Sequence, residues 1–172
     1  MSGLSISVEP FESVDALKLV EALDAELAAL YPPENRFGSR FTAGHAVEGR
    51  GTFLVARLDG AAVGCGAFTL IGDGTAEVKR MYVAPRARGQ GVARAVLDLL
   101  ESEAHALGAV RLVLETGIHQ HDAIRLYERA GFTRIGCWGE YTEVPTSVCY
   151  ERLIPMDLAR ARPEVRKRTK RA

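Results

Sequence analysis

The spacing of hydrophobic and polar residues predicts a strand followed by a helix at the start of the chain. Residues 5–10 alternate between apolar and polar side chains, as in a strand with one buried face. Residues 13–30 carry apolar side chains at helical spacing, and Ser13 is a suitable N-cap. The two prolines of the YPPE sequence at 31–34 should end this helix. We expect residues 35–51 to form a loop with one short helix.

Residues 52–83 have the pattern of three antiparallel strands. Two Asp-Gly pairs, Asp59-Gly60 and Asp73-Gly74, separate runs of strand-forming residues and are typical of tight hairpin turns. The segment therefore predicts a meander.

The second half of the chain alternates between helices and strands. Apolar residues between 91 and 107 follow helical spacing, and Gly108 is suited to end that helix. Residues 110–116 are strongly apolar, as in a strand buried on both faces. A short helix at 122–131 and a final pair of strands, in FTRIGC and SVCYERL, complete the prediction. One mixed sheet flanked by helices, an α/β (α+β mixed) fold, fits this order.

Composition favours one globular enzyme or binding domain. The 172 residues include 47% hydrophobic and 26% charged side chains, enough for a sizeable core. No signal segment or membrane-length apolar run is present, so we expect a cytoplasmic protein with no membrane partner. Cys65, Cys137 and Cys149 lack metal-ligand spacing, and we expect small buried side chains rather than thiol chemistry.

The net charge of zero hides an uneven distribution. Residues 157–172 carry seven Arg or Lys against two acidic residues, which makes this tail +5 and the rest of the chain −5. We expect residues 1–156 to form one domain and the tail to be a disordered, solvated end. A nucleic-acid partner for the tail is the less favoured alternative.

The glycine-rich segment RARGQGVA, residues 86–93, lies between a predicted strand and a predicted helix. Its glycines allow positive φ angles and close approach of a ligand to the backbone amides. These amides lead into a helix N-terminus, which favours a phosphate, and Arg86 and Arg88 add positive charge. A pyrophosphate suits this loop best. The segment lacks the Gly-Lys-Ser/Thr ending of a Walker loop, and Arg94 stands where a dinucleotide fingerprint has its third small residue.

Residues 88–93 of this loop resemble the signature of the GNAT N-acetyltransferase superfamily, Arg/Gln-x-x-Gly-x-Gly/Ala. The resemblance to the superfamily covers about residues 50–153 of the chain. The resemblance implies a mixed, mostly antiparallel sheet and acetyl-CoA as co-substrate, with the loop amides on its pyrophosphate. It also implies that backbone groups of the preceding strand contact the acetyl and pantetheine groups. The implied cofactor-binding residues are Met81, Tyr82, Val83, Arg88, Gly89, Gln90, Gly91, Val92 and Ala93.

A second segment, AIRLYERAGF at 123–132, resembles the family's A-x-x-L-Y-x-x-x-G-F sequence. The resemblance implies that Tyr127 lies near the sulfur of CoA and protonates the leaving thiolate. The alternative is a helix tyrosine with its hydroxyl at the surface. Gln120 stands where many relatives have an asparagine that contacts the ligand, and we include it as a cofactor-binding candidate.

Acetyl transfer to an amine requires a neutral amine, a polarised carbonyl and an acid for the thiolate. Glu77 lies on the strand expected beside the acetyl group and resembles the general base of some family members. A solvent-facing glutamate is the equal alternative. His119 and His121, with Glu115 nearby, lack a well-spaced third ligand, so we predict no metal site.

The acceptor is the least determined part of the prediction. Candidate substrate-binding residues are Tyr31, Glu34, Glu140 and Tyr141, whose carboxylates and aromatic rings suit a cationic amine. We expect an N-acetyltransferase acting on the primary amine of a small molecule. A catalytically idle CoA-sensing module and a protein- or nucleic-acid-associated acetyltransferase are the alternatives, and a homodimer stays open.

Overall fold

A computed structural model describes residues 3–35 and 41–156 of the chain. The elements follow the predicted order of strand, helix, meander, helix, strand, helix and two strands. They are β1 (Leu4–Val8), α1 (Val14–Leu30), β2 (Gly51–Leu58), β3 (Ala61–Gly72), β4 (Thr75–Val83), α2 (Val92–Ala106), β5 (Arg111–Gly117), α3 (His121–Arg129), β6 (Thr133–Ile135) and β7 (Ser147–Leu153). Short 3-10 helices lie at Pro33–Asn35, Ala43–His45, Pro85–Ala87 and Gly139–Tyr141.

The strands form one seven-stranded sheet in the order β1-β2-β3-β4-β5-β7-β6. All neighbouring strands are antiparallel except β4 and β5, which are parallel. Helix α1 packs on one face, where Ala16, Leu19 and Val20 meet a buried cluster that includes Phe53 and Cys65. Helices α2 and α3 contribute to the larger apolar cluster on the other face. The predicted mixed, mostly antiparallel sheet flanked by helices is confirmed.

Local sequence signals account for the ends of several elements. Ser13 caps α1, because its side chain accepts a hydrogen bond from the amide of Ala16. Asp59 and Asp73 both adopt positive φ, at 48° and 49°, each followed by a positive-φ glycine. This is the geometry that Asp-Gly hairpin turns require. None of the helices in the described ranges is long and apolar enough to cross a membrane. The predicted tail, residues 157–172, lies outside the described residues.

The sheet splits in its middle. Strands β4 and β5 pair only from Thr75 opposite Arg111 to Val78 opposite Leu114. Beyond Val78, β4 contains a bulge against β3, and Arg80 there has a φ of 58°. A bulge bends its strand and increases the local twist, so it turns the end of β4 away from β5. The opening between the two strands positions the functional site.

Our prediction of three separate, unreactive cysteines is wrong for two of them. Cys137 and Cys149 form a disulfide, so they are not isolated small side chains. The pair forms because β6 and β7 place Ile135 opposite Cys149, which brings Cys137 within reach of Cys149. Cys65 is the buried thiol that we expected, and burial raises its pKa to about 12.

Candidate active site

A cleft of about 870 Å³ runs along the end of β4, the glycine-rich loop and the start of α2. Helix α3 and the loop before it form the opposite wall, and α1 closes one side through Leu23, Glu26 and Leu30. The cleft is lined by nine of the predicted cofactor residues: Met81, Tyr82, Val83, Arg88, Gly89, Gly91, Val92, Ala93 and Gln120. The structure therefore brings nearly all of the predicted cofactor residues to one surface.

The glycine loop leaves room for a ligand at the N-terminus of α2. Gly89 and Gly91 have φ angles of 74° and 80°, and a Cβ built at either position would meet no atom within 4 Å. Gly91 is the N-cap of α2, and no side chain caps the helix there. The first amides of a helix have no partner within the helix. The loop thus presents unshielded N–H groups and the positive end of a helix dipole, the arrangement that binds phosphate.

Both arginines predicted beside the phosphate bind protein groups in this structure. Arg88 donates from Nε to the Val83 carbonyl at 2.9 Å and pairs with Glu26 at 2.6 Å. Arg86 donates to the Ala62 carbonyl at 3.1 Å. Gln90 donates from its side chain to the Arg86 carbonyl, and it does not line the cleft. Arg94, Arg125 and Arg129 also line the cleft, where Arg94 pairs with Asp98 and Arg125 with Asp122. Our sequence analysis did not place these three arginines beside the cofactor.

A second, smaller cavity of about 110 Å³ adjoins the cleft, and we call it the acceptor cavity. Its polar lining includes Glu77, Lys79, Glu115 and Tyr141, together with Arg80, Thr116 and Gln120. It shares five lining residues with the cleft, namely Leu23, Met81, Gln120, Ala123 and Tyr127. The two spaces therefore meet where β4 and β5 have separated.

Three polar groups form a compact triangle in the acceptor cavity. The Tyr141 hydroxyl donates to Glu77 Oε1 at 2.8 Å and accepts from Lys79 Nζ at 3.3 Å. Lys79 Nζ lies 3.2 Å from the same Glu77 oxygen. Glu77 and Tyr141 are only 7% and 4% exposed. Lys79 escaped our sequence analysis, although its position two residues after Glu77 on the same strand puts both on one face.

Glu115 is a second carboxylate in the acceptor cavity. Its Oε1 accepts a hydrogen bond from Ser147 Oγ at 2.7 Å. Burial raises the pKa of Glu115, as do the nearby charges of Glu77 and Glu140, whereas Ser147 and the Lys79 ammonium act in the opposite direction. Our sequence analysis considered Glu115 only as a weak metal ligand. The split of the sheet, which no sequence pattern reveals, makes it face the same cavity as Glu77.

Tyr127 lies at the junction of the two spaces. It belongs to the apolar cluster on the α2 and α3 face, yet it lines both the cleft and the acceptor cavity. Only 4% of the residue is exposed, which excludes the alternative of a surface tyrosine. Burial raises the pKa of its phenol, and the charge of Glu115 adds to that effect. A phenol in this state stays protonated at neutral pH.

The segment between β5 and α3 is fixed by Tyr31 and Gln120. The Tyr31 hydroxyl accepts from the His119 amide at 3.0 Å, and the two rings stack. A Cβ at Gly117 would overlap that hydroxyl, so only glycine fits beneath it. Gln120 Oε1 accepts from the Gly117 amide at 2.8 Å. Tyr31 therefore supports the loop from below and does not line either cavity.

The other predicted acceptor residues lie in different surroundings. Glu34 is exposed in the Pro33–Asn35 turn, and Glu140 is exposed beside Tyr141. Their roles, like that of Tyr31, stay predictions. His119 and His121 line the cleft. Across residues 3–35 and 41–156, no three His, Cys, Asp or Glu side chains are grouped to hold a metal ion.

Comparison with known proteins identifies the family. Residues 18–132 match the model of the Acetyltransferase (GNAT) family. The chain is 41% identical over 153 residues to the IAA acetyltransferase of Azospirillum brasilense, a match that covers 88% of this chain and 99% of that protein. A shorter match is the acetyltransferase Atu2258 of Agrobacterium fabrum, 40% identical over 62 residues, which cover 36% of this chain and 44% of that protein.

Solved structures give the same result for the fold. A Klebsiella pneumoniae protein named as an acyl-CoA N-acyltransferase superimposes with a TM-score of 0.74 at 34% identity, over 88% of this chain and 97% of that one. The PaiA N-acetyltransferase of Thermoplasma acidophilum, solved in complex with coenzyme A, gives a TM-score of 0.63 at 17% identity, over 87% and 99%. The chain belongs to the GNAT acetyltransferase family and is an acyltransferase enzyme.

Proposed function

We propose that this enzyme transfers the acetyl group of acetyl-CoA to the primary amine of a small molecule, by direct attack within a ternary complex. The observation that supports the proposal is the meeting of two unlike spaces at Tyr127. One is a long cleft with a glycine-rich loop suited to a pyrophosphate, and the other is a small cavity with two carboxylates.

The residues of the cleft fit acetyl-CoA. The open space at Gly89 and Gly91 and the uncapped start of α2 suit a pyrophosphate. Backbone groups of β4 beyond Val78 no longer pair with β5, so Met81 to Val83 present main-chain donors and acceptors to the cleft. Acetyl-CoA, when bound, supplies the activated acyl thioester. The chain positions the acyl carbonyl near these amides and keeps water out with Leu23 and Met81.

The acceptor cavity fits an amine that arrives as a cation. Glu77 and Glu115 are the carboxylates there, beside the cations of Lys79 and Arg80, and the Arg80 guanidinium is already paired with Asp24. The small volume admits a small amine or the tip of a larger one. One of the two carboxylates takes the ammonium proton, and the lone pair so freed attacks the carbonyl carbon. Tyr127 then donates its phenolic proton to the departing thiolate, and the second proton lost by the nitrogen restores the phenol.

A panel of small amines, polyamines, amino acids and lysine peptides tests the proposal. Purified enzyme and acetyl-CoA should release one thiol for each acetylated amine, detected by a thiol reagent and by the mass of the product. A Gly91→Val variant is the matched control, because it should lose turnover on every acceptor. Tight acetyl-CoA binding with no turnover on any amine would favour the idle sensing module, and turnover confined to peptides would favour a protein acceptor.

A further inference from the structure

The acceptor cavity contains two carboxylates that differ in their partners. Glu77 Oε1 is bonded to the Tyr141 hydroxyl at 2.8 Å and lies 3.2 Å from the Lys79 ammonium. Glu115 receives a neutral donor, the Ser147 hydroxyl, at 2.7 Å. Charged donors stabilise the ionised form of a carboxylate more strongly than neutral ones do. The two groups are therefore not equivalent as proton acceptors.

We propose that Lys79 is a positioning residue that separates the roles of the two carboxylates. It joins Glu77 to Tyr141 as a fixed charged group, and it leaves Glu115 as the carboxylate that takes the proton of the acceptor ammonium. This inference rests on the proposed acetylation of an amine.

Geometry supports a fixed role for Glu77. Protonating Glu77 would break its ion pair with Lys79 inside a site where both side chains are about nine-tenths buried, at 9% and 12% exposure. An ammonium left without its partner in such a site is strongly disfavoured. Glu77 is therefore a poor base, although it can orient the acceptor and hold Tyr141 in the wall of the cavity.

Glu115 has the properties that a base requires. It lines the acceptor cavity, and burial together with the charges of Glu77 and Glu140 raises its pKa. A general base acts best when its pKa approaches the working pH. The ammonium of a primary amine loses two protons when it becomes an amide. Glu115 takes the first and later releases it to solvent, and the second restores the phenol of Tyr127 after Tyr127 has protonated the thiolate.

Charged and titratable groups reach this cavity from every element around it. Strand β4 contributes Glu77, Lys79 and Arg80, β5 contributes Glu115, and the Gly139–Tyr141 turn contributes Tyr141. Glu140, which is exposed and does not line the cavity, acts on Glu115 through its charge. Tyr127 comes from α3, and Tyr31, at the end of α1, interacts electrostatically with Glu115. Arg80 is paired with Asp24 of α1 at 2.8 Å. Lys79 is thus the cation that acts on both Glu77 and Glu115.

The test is a pair of substitutions with opposite expected signs. Lys79→Met removes the positive charge near Glu115, so the acidic limb of the kcat/KM profile should move to higher pH by about one pH unit. Glu77→Gln removes the neighbouring negative charge and frees Lys79 to interact with Glu115, so the limb should move to lower pH. Lys79→Arg should restore the wild-type profile, since it keeps the charge.

Two controls make the test specific. Lys18→Met removes an exposed lysine of α1 and should leave the profile unchanged. The acceptor's own ionisation is the same for all variants, so only shifts between variants count. If Lys79→Met did not fold, Lys79→Gln and Glu77→Gln would carry the same test.

A second readout does not depend on turnover. Carbon-13 NMR of the glutamate carboxyls follows Glu115 directly in the enzyme alone, with Glu115→Gln to assign the signal. The Glu115 signal should titrate at higher pH in Lys79→Met and at lower pH in Glu77→Gln.

Three outcomes would overturn the inference. They are superimposable profiles for Lys79→Met and wild type, an unchanged Glu115 titration, and loss of the limb in Glu77→Gln with a fall of about 100-fold or more, which would make Glu77 the base. Each leaves the proposed function intact if amines are still acetylated. Absence of any acetylated amine would instead refute the proposed function, while the NMR titration would still measure the effect of Lys79.

Discussion

The cleft and the acceptor cavity touch at Tyr127 but are built from different parts of the chain. The cleft, at about 870 Å³, offers mainly main-chain groups, from the end of β4, two positive-φ glycines and the first turn of α2. The cavity, at about 110 Å³, is lined by polar side chains from β4, β5 and the Gly139–Tyr141 turn. The cleft should therefore be sensitive to an added Cβ, and the cavity to the loss of a single polar atom.

The largest effect is expected at the junction, where Tyr127 belongs to both spaces. Tyr127→Phe removes the proton donor for the thiolate and keeps the ring that packs near Phe132. The value of kcat should fall by roughly 10-fold to 1000-fold, with little change in acetyl-CoA affinity. Steady-state kinetics and calorimetry measure the two quantities separately.

Tyr150→Phe is the matched control for this substitution. Tyr150 packs near Tyr127 on the same face, and its hydroxyl donates to Glu128 at 3.1 Å and does not line either space. Its kcat should stay near the wild-type value. An unchanged kcat for Tyr127→Phe, under conditions where chemistry limits the rate, would make Tyr127 a packing residue.

The second effect concerns the cleft alone. Gly91→Val places a branched side chain where φ is 80° and where the space for a ligand lies open. Acetyl-CoA affinity should fall by about 100-fold, or ~2.7 kcal/mol, because the loop strains and its amides are shielded. Isothermal titration calorimetry measures the loss.

Gly60→Val provides the same backbone strain at a different place. Gly60 lies in the turn between β2 and β3 with a φ of 85°, and a Cβ there would also meet no atom within 4 Å. This variant should lose stability but keep its acetyl-CoA affinity. Equal affinities for Gly91→Val and wild type would contradict the assignment of the loop to the pyrophosphate.

The difference between the two spaces also explains what the sequence could predict. The cleft follows from contiguous signals, since residues 86–93 contain both the glycines and the start of α2. The Asp-Gly turns and the Ser13 cap were predictable for the same reason, because the interacting groups lie within a few residues. The partners of Arg86 and Arg88 include Ala62 and Glu26, far along the chain, so the sequence could not show which protein groups these side chains bind.

The acceptor cavity depends on contacts between distant segments. Glu77 meets Tyr141 across 64 positions, and Ser147 reaches Glu115 across 32. Such contacts follow from strand pairing and from the bulge at Arg80. Neither the pairing nor the bulge can be predicted from a local sequence pattern. The Cys137–Cys149 disulfide escaped prediction for the same reason, because it depends on the register of β6 against β7.

The smallest effect is expected from that disulfide, and it should appear only in the acceptor cavity. The bond joins the two ends of the segment that carries Trp138, Glu140 and Tyr141. Tyr141 donates to Glu77, so greater motion of this segment weakens one wall of the cavity. Pairing of β6 with β7 and the contact between Trp138 and Tyr141 still hold the segment after reduction. The KM for the acceptor should therefore rise only about threefold, or ~0.6 kcal/mol.

The measurement compares kinetics of the Cys137→Ser/Cys149→Ser variant with those of the wild type, before and after treatment with a dithiol. Reduction transfers two electrons and two protons to the bond and yields two thiols, with the dithiol oxidised to its cyclic disulfide. Cys65→Ala is the control, because its buried thiol, with a pKa raised to about 12, should not react. The acceptor KM should change while acetyl-CoA affinity stays constant. An equal loss of acetyl-CoA affinity would show that the segment supports the cleft as well, and that the two spaces are less independent than their lining residues indicate.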